Sequence, residues 1–463
     1  MNTTVVDFVI LGGGIAGLTA ALELQQRGMR VAVLEKSPVV GGLARTLVRD
    51  GYRFDIGGHR FHSNNPEVIR WVQNLLTDDL RWVRRQSHIH LQNHFVPYPI
   101  KFPEAMTMFS PMESAIILLS YLQARFRVSK RQDKSFEDWV INRFGQKLYE
   151  IYFRPYTEKV WGMPPSQLSA EWAALRIGLP SVRKAVTHAL FPDQNTPATA
   201  VNRFLYPRMG FGQIANALEK KFVGLGGTLL TQSIPQGIHP IETGYCVEAE
   251  TPEQNLIIFA PEIISTIPLS GLFALLPTDE IPAPQMQYRG LITVMLALNK
   301  PQVQTDTWTY FPSPKLIFGR IHEPKNWSAE MVPDSMTTSL VAEIFATPGD
   351  NLWSQTDRAL IDKVIQQLTE LNWLHPDQVI GAWALRIPHA YPVYGLDYAR
   401  KRKQTLALLD ECWPGLHLLG RTGSFRYINT DGVVESVFSW LHRRFSGDAH
   451  IFQALIEEDG RWV

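Results

Sequence analysis

DFVILGGGIAGLTAALELQQRGMRVAVLEK, residues 7–36, is the stretch on which the fold turns. Asp7–Leu11 is a short apolar run ended by three glycines, which marks a buried strand. The spacing then predicts a helix from about Ile15 to Arg27 and a second strand at Val31–Glu35. Strand, glycine turn, helix and strand open a doubly wound α/β sheet. In that setting Gly12 permits the tight turn, Gly14 lets backbone approach a pyrophosphate, and Gly17 lets helix pack on strand. The positive end of the helix faces the phosphates. Glu35, 18 residues past Gly17, is placed to accept a bond from a ribose hydroxyl. Its charge repels a 2′-phosphate, so NADP is disfavoured.

Working outward, KSPVVGGLART brings a second glycine pair, Gly41-Gly42, and then Arg45 as a candidate phosphate ligand. Asp55-Ile-Gly-Gly58 offers a further place where backbone can lie close to a ring. Three glycine clusters within sixty residues fit FAD, an extended ligand, better than NAD. From residue 76 the pattern becomes helical. Ser135-Phe-Glu-Asp138 has the spacing of a capping box, and Phe136, Val140, Phe144, Leu148 and Ile151 continue one apolar face. A glycine-rich helix start at Gly210-Phe-Gly212, a run to Lys221 and a strand at Thr228–Leu230 return to the first pattern. Strands are predicted at Leu291–Ala297, Ser339–Ile344 and Val379–Trp383, with one helix through Leu360, Val364 and Leu368. A strand at His417–Leu419, a polar loop over 420–431 and a helix over 432–445 close the chain. The predicted architecture is a Rossmann-like FAD-binding domain from 1–75, 205–265 and 405–463. An inserted α+β substrate domain takes 76–204 and 266–404.

Composition sets outer bounds. The chain has 463 residues, 45% hydrophobic and 19% charged, an ordinary globular balance. A net charge of +1 leaves no global footprint for nucleic acid. Cys246 and Cys412 build no disulfide framework, and with no visible leader a reducing, cytoplasmic setting is expected. The longest apolar stretch, residues 113–126, is too short to span a bilayer and reads as a core helix, so membrane contact is not favoured. His88, His90 and His94 do not read as a metal site, since two alternate along a strand and no carboxylate or thiolate accompanies them.

The residues 7–46 resemble the N-terminus of the flavoprotein clan that holds amine oxidases, protoporphyrinogen oxidase, carotenoid desaturases and UDP-galactopyranose mutase. RMGFGQIANALEKKF (208–222) and IISTIPLSGL (263–272) resemble the oxidase branch. FDIGGHRFHSNN (54–65) and IYFRPYTEKVWGMPPSQL (151–168) resemble the mutase. The resemblance implies non-covalent FAD. It places His59 beside the flavin as a hydrogen-bonding or acid–base group, and Tyr152, Phe153 and Tyr156 around a uracil with Trp161 at the sugar. YFPSPKLIFGRIHEPKNW (310–327) and AYPVYG (390–395) resemble the mutase elements that would make Arg320 a diphosphate ligand and Tyr391 a phosphate-side hydroxyl. GRTGSFRYINTDGVVESV (420–437) resembles the segment that closes over the flavin, with Arg421 near the pyrophosphate. Asp431-Gly432 then starts a helix facing the flavin N1–C2 carbonyl. Past residue 168 the mutase pattern of a lid with a second diphosphate arginine fades, and Arg176 is the nearest match.

Two functions stay open on this reading. One is an FAD-dependent oxidoreductase that takes hydride from a small-molecule substrate onto flavin N5. The other is a nucleotide-sugar pyranose/furanose mutase, in which reduced flavin is the nucleophile.

Overall fold

The computed structural model describes residues 2–91, 94–98, 110–126, 133–177, 202–277 and 284–445. Phe8–Leu11 is a strand buried at every position, Ile15–Gln26 the helix after it, and Val31–Leu34 the second strand. They form the middle of a five-stranded parallel sheet, in the order 228–230, 31–34, 8–11, 262–265, 416–418. The pleat sends alternate residues to opposite faces. Phe8, Ile10, Val31 and Val33 pack with Leu18, Ile214, Leu218 and Val434 of three helices. Val9, Leu11, Ala32 and Leu34 pack on the other side with Ile238, Val247 and Ile258 of a four-stranded sheet built from 2–5, 234–241, 244–250 and 255–260. The last helix, Thr430–Phe445, lies beside the first.

A second, seven-stranded mixed sheet runs in the order 379–392, 288–298, 338–344, 320–322, 308–310, 87–91, 94–97. Its central strand Tyr288–Leu298 is buried at all eleven positions. The helix Asp357–Glu370 covers it, with Leu360, Val364 and Leu368 against Ile292, Val294 and Leu340.

Four elements depart from expectation. The capping box at Ser135 and Asp138 forms, but its helix stops at Phe144 because Gly145 takes φ +84° against the backbone of Ser120. Leu148 and Ile151 therefore belong to separate short turns that lead into the helix Arg154–Trp161. The strand from Val379 continues to Pro392, nine residues past the expected end, because Tyr288–Leu298 offers a partner along its length. Within the expected loop 420–431, Gly420–Gly423 is a short helix. The stretch 113–126 is helical, as Pro111–Phe126, but is no core helix: Ile117 alone of its large apolar side chains is buried. Residues 178–201 and 446–463 lie outside the described residues, as does the side chain of Arg176 at the end of the helix Ala170–Ile177.

Candidate active site

The glycine loop is a backbone device. Gly12 sits at φ +104°, where few side chains go, and its N–H donates to Leu34 O at 2.8 Å. A Cβ on Gly17 would collide with the Gly12 carbonyl. A Cβ on Gly14 would meet nothing within 4 Å, so the helix start opens there onto space. The second glycine pair packs on the first: Gly41 N–H donates to Gly13 O at 2.8 Å, and a Cβ on Gly42 would lie 3.4 Å from Gly14 Cα. Glu35 is buried at the rim and accepts N–H bonds from Gly13 and Ser37, both at 2.8 Å. Arg45 reaches Ser37 Oγ at 3.3 Å while its Nε is buried with no hydrogen-bond partner. A buried cation with an unspent donor, beside an open helix N-terminus, suits a dinucleotide pyrophosphate.

Asp55 ties this region together, a role with no local signal in the sequence. Its carboxylate accepts from Thr46 Oγ1 at 2.5 Å, Tyr206 OH at 2.6 Å and Phe211 N–H at 3.0 Å. Burial raises its pKa to about 6 against the pull of those donors. Just beyond it, His59 Nδ1 lies 3.1 Å from Gly57 O, and the ring stacks on Phe211 with centroids 5.0 Å apart. Burial holds His59 down at about 4, so it is neutral at pH 7 and serves as a hydrogen-bonding group or a base. Gly58 N–H donates to Glu343 at 3.0 Å.

Asp431 stands in the first turn of the last helix, and burial with the nearby Glu435 raises its pKa to about 7. Gly432 follows it under Ile428. Arg421 lies away from the position expected for it. Its guanidinium carbon sits 4.8 Å from the ring centroid of Tyr391 and 4.2 Å from that of Tyr427. Its Nε and Nη2 are buried with no hydrogen-bond partner.

The substrate-side residues form two groups. Tyr152 and Tyr156 lie parallel at 6.1 Å, with Phe153 5.0 Å from Tyr152 and Tyr310 edge-on to Tyr156. Trp161 packs edge-on to Trp172 at 4.7 Å and faces Tyr391 and Tyr427 at 6.4 and 6.1 Å. Tyr391 and Tyr427 are themselves stacked. Burial, then the charge of Glu343, keeps the Tyr391 hydroxyl protonated far above neutrality. The helix Arg154–Trp161 carries both Tyr156 and Trp161 and is clamped twice. Lys159 Nζ donates to the carbonyls of Phe311, Ser313 and Phe318, and Arg289 Nε donates to Val160 O at 3.1 Å. Burial draws Lys159 down to about 7, yet three carbonyl acceptors favour the ammonium with its three donors.

Arg320 arrives with its own counter-ion. Its Nε donates to Glu343 at 2.7 Å and its Nη2 bonds the second carboxylate oxygen, while His322 lies 3.4 Å away. Burial pushes Glu343 up, but Arg320 and His322 outweigh it and hold it near 2. The sequence hint was one acid in the apolar run Ser339–Ile344. Tyr427, also missed, was an aromatic inside the segment 420–437. The histidine strand needs correction. His88 does have a carboxylate, Asp306, at 2.7 Å, delivered by a segment 218 residues away. Among the described residues no three His, Cys, Asp or Glu side chains are disposed to hold a metal.

A glycine cradle closed by a C-terminal helix, beside an aromatic pocket on a separate mixed sheet, defines a flavoprotein with a two-part site. The chain belongs to the flavin containing amine oxidoreductase family, which matches residues 15–436, and its cofactor is FAD. It is 28% identical over 173 residues to a probable UDP-galactopyranose mutase of Klebsiella pneumoniae. That match takes in 35% of this chain and 43% of the relative, less than half its length. A crystal structure of reduced UDP-galactopyranose mutase superposes with TM-score 0.81 at 21% identity, over 96% of this chain and 95% of that one. A protoporphyrinogen oxidase structure from Exiguobacterium sp. 255-15 superposes with TM-score 0.74 at 19% identity, over 97% and 100%.

Proposed function

We propose that this flavoenzyme acts on a nucleotide-diphosphate sugar, in a reaction of the UDP-galactopyranose mutase type. The observation that carries the reading is Arg421: two buried, unpartnered guanidinium nitrogens set among Tyr391, Tyr427 and Trp161. Donors aimed into an aromatic wall suit an anionic group flanked by flat or ring-shaped moieties. The parallel pair Tyr152 and Tyr156 can hold a base by its faces, and Trp161 can border a sugar. Trp161 and Tyr156 stand on one helix, five residues apart, so base and sugar subsites keep a fixed separation. The cradle residues Gly12–Gly14, Gly41-Gly42, Glu35 and Arg45 would hold FAD. Bound FAD supplies reactivity at N5, as hydride acceptor when oxidised and nucleophile when reduced. His59, neutral at pH 7, can take a proton at Nε2 while Nδ1–H stays on Gly57 O.

A second reading, hydride-transferring oxidoreductase, is favoured by the Arg320–Glu343 pair. It neutralises the arginine expected to bind a diphosphate. Incubation with a nucleotide-sugar panel, UDP-galactose foremost, with and without dithionite, separates the two. Furanose product that depends on dithionite supports the mutase. No conversion in either arm, with a substrate that bleaches the oxidised flavin, supports the oxidoreductase.

A further inference from the structure

We propose that the outward face of the helix Pro111–Phe126 docks on a membrane surface bearing anionic headgroups. An ordinary surface helix turns its apolar stripe inward. This one is reversed. Ser114 and Ile117 are buried, and Ser120 and Tyr121 are half-buried. Met112, Leu119 and Phe126 are 75, 59 and 85% exposed, and Ile116, Leu118 and Leu122 are exposed beside them. Met112, Ile116, Leu119, Leu122 and Phe126 follow helical spacing, so they form one stripe along a helix about 24 Å long. Exposed apolar surface of that extent marks an interaction site.

Charge selects the occupant. The sequence running out of the helix, residues 125–134, carries Arg125, Arg127, Lys130, Arg131 and Lys134 against Asp133 alone. A chain with net charge +1 thus concentrates positive charge at the end of its exposed apolar stripe. Two copies meeting face to face would bring like charges together. An interfacial helix with a basic flank finds both its needs in acyl chains under phosphate headgroups. Among the described residues no helix is long and apolar enough to cross a membrane, so the contact is superficial. It holds whichever reaction the flavin performs.

The test is co-sedimentation of the full-chain holoprotein with phosphatidylcholine vesicles and with phosphatidylcholine–phosphatidylglycerol vesicles. Binding is expected to the second kind, falling with added salt. The double variant Leu119→Glu, Phe126→Glu should lower partitioning by at least about tenfold, since two large apolar side chains leave the interface. Both side chains are exposed, so flavin content and unfolding midpoint should stay at the parent values. Absence of binding to either vesicle overturns the proposal. So does a dimer in size-exclusion chromatography that the double variant splits, which would make the occupant a second copy.

Discussion

The glycine cradle and the aromatic wall confront a ligand by opposite means. Around Gly12–Gly17 and Gly41-Gly42 the contacts are backbone, and what matters is the lack of side chains. Around Tyr391 the contacts are rings and guanidinium groups from segments as far apart as Tyr152 and Tyr427. A backbone site survives most substitutions and fails at a few glycines. A side-chain site degrades residue by residue, and its charges need partners held at a distance in sequence. The cradle is therefore generic to the cofactor, while the wall carries selectivity.

The largest effect expected on this contrast comes from Gly14→Val. The position has room for a side chain within the protein, so the variant should fold normally yet lose bound flavin, read as absorbance per polypeptide beside the unfolding midpoint. Unchanged flavin content would mean that the open space at the helix start is not where the cofactor lies. Next comes Glu343→Leu, which leaves Arg320 buried without its counter-charge. It should cost about 3–5 kcal/mol in urea unfolding, and adding Arg320→Met should recover much of it. If the single variant unfolds like the parent, the pair is not buried as described.

Arg421→Met should weaken UDP binding by about 2 kcal/mol, or about thirtyfold, with flavin retained. Flavin loss with unchanged UDP affinity would move Arg421 from the wall to the cradle. The smallest effect per pH unit belongs to Asp431. Its folded pKa of about 7 lies above the unfolded value of about 3.9, so between them the folded state binds more protons. Stability of the apoprotein should then fall as pH rises through that window, by at most about 1.4 kcal/mol per pH unit, and Asp431→Asn should flatten the slope. A slope identical in the variant would assign the titration to another group.

How far each region could be read beforehand follows from the same contrast. Gly12, Gly14, Gly17 and Glu35 lie within one βαβ unit, and the helix Ile15–Gln26 and strand Val31–Leu34 formed within a residue of their expected ends. Local spacing was sufficient because the site is local. Glu343 could not be paired with Arg320 in advance, because that contact is a register between two strands, 23 residues apart in sequence. The aromatic motif showed which residues face a ligand, but not that Tyr427 and Trp172 would join Trp161 and Tyr391. The helix Pro111–Phe126 shows a different failure. Periodicity says which residues share a face, and nothing about whether that face points in or out. Gly145 was visible as a break in a helical pattern, and its positive φ ended the helix there.

The parallel sheet under the cradle draws its outer strand from 416–418 and its closing helix from 430–445, although the glycine loop is complete by residue 17. On a ribosome the phosphate-binding turn would emerge first and wait for nearly all the polypeptide before its final wall arrived. Cofactor loading is thereby placed at the end of synthesis, and a chain truncated before Leu416 would carry the whole fingerprint yet lack the strand and helix that close the site.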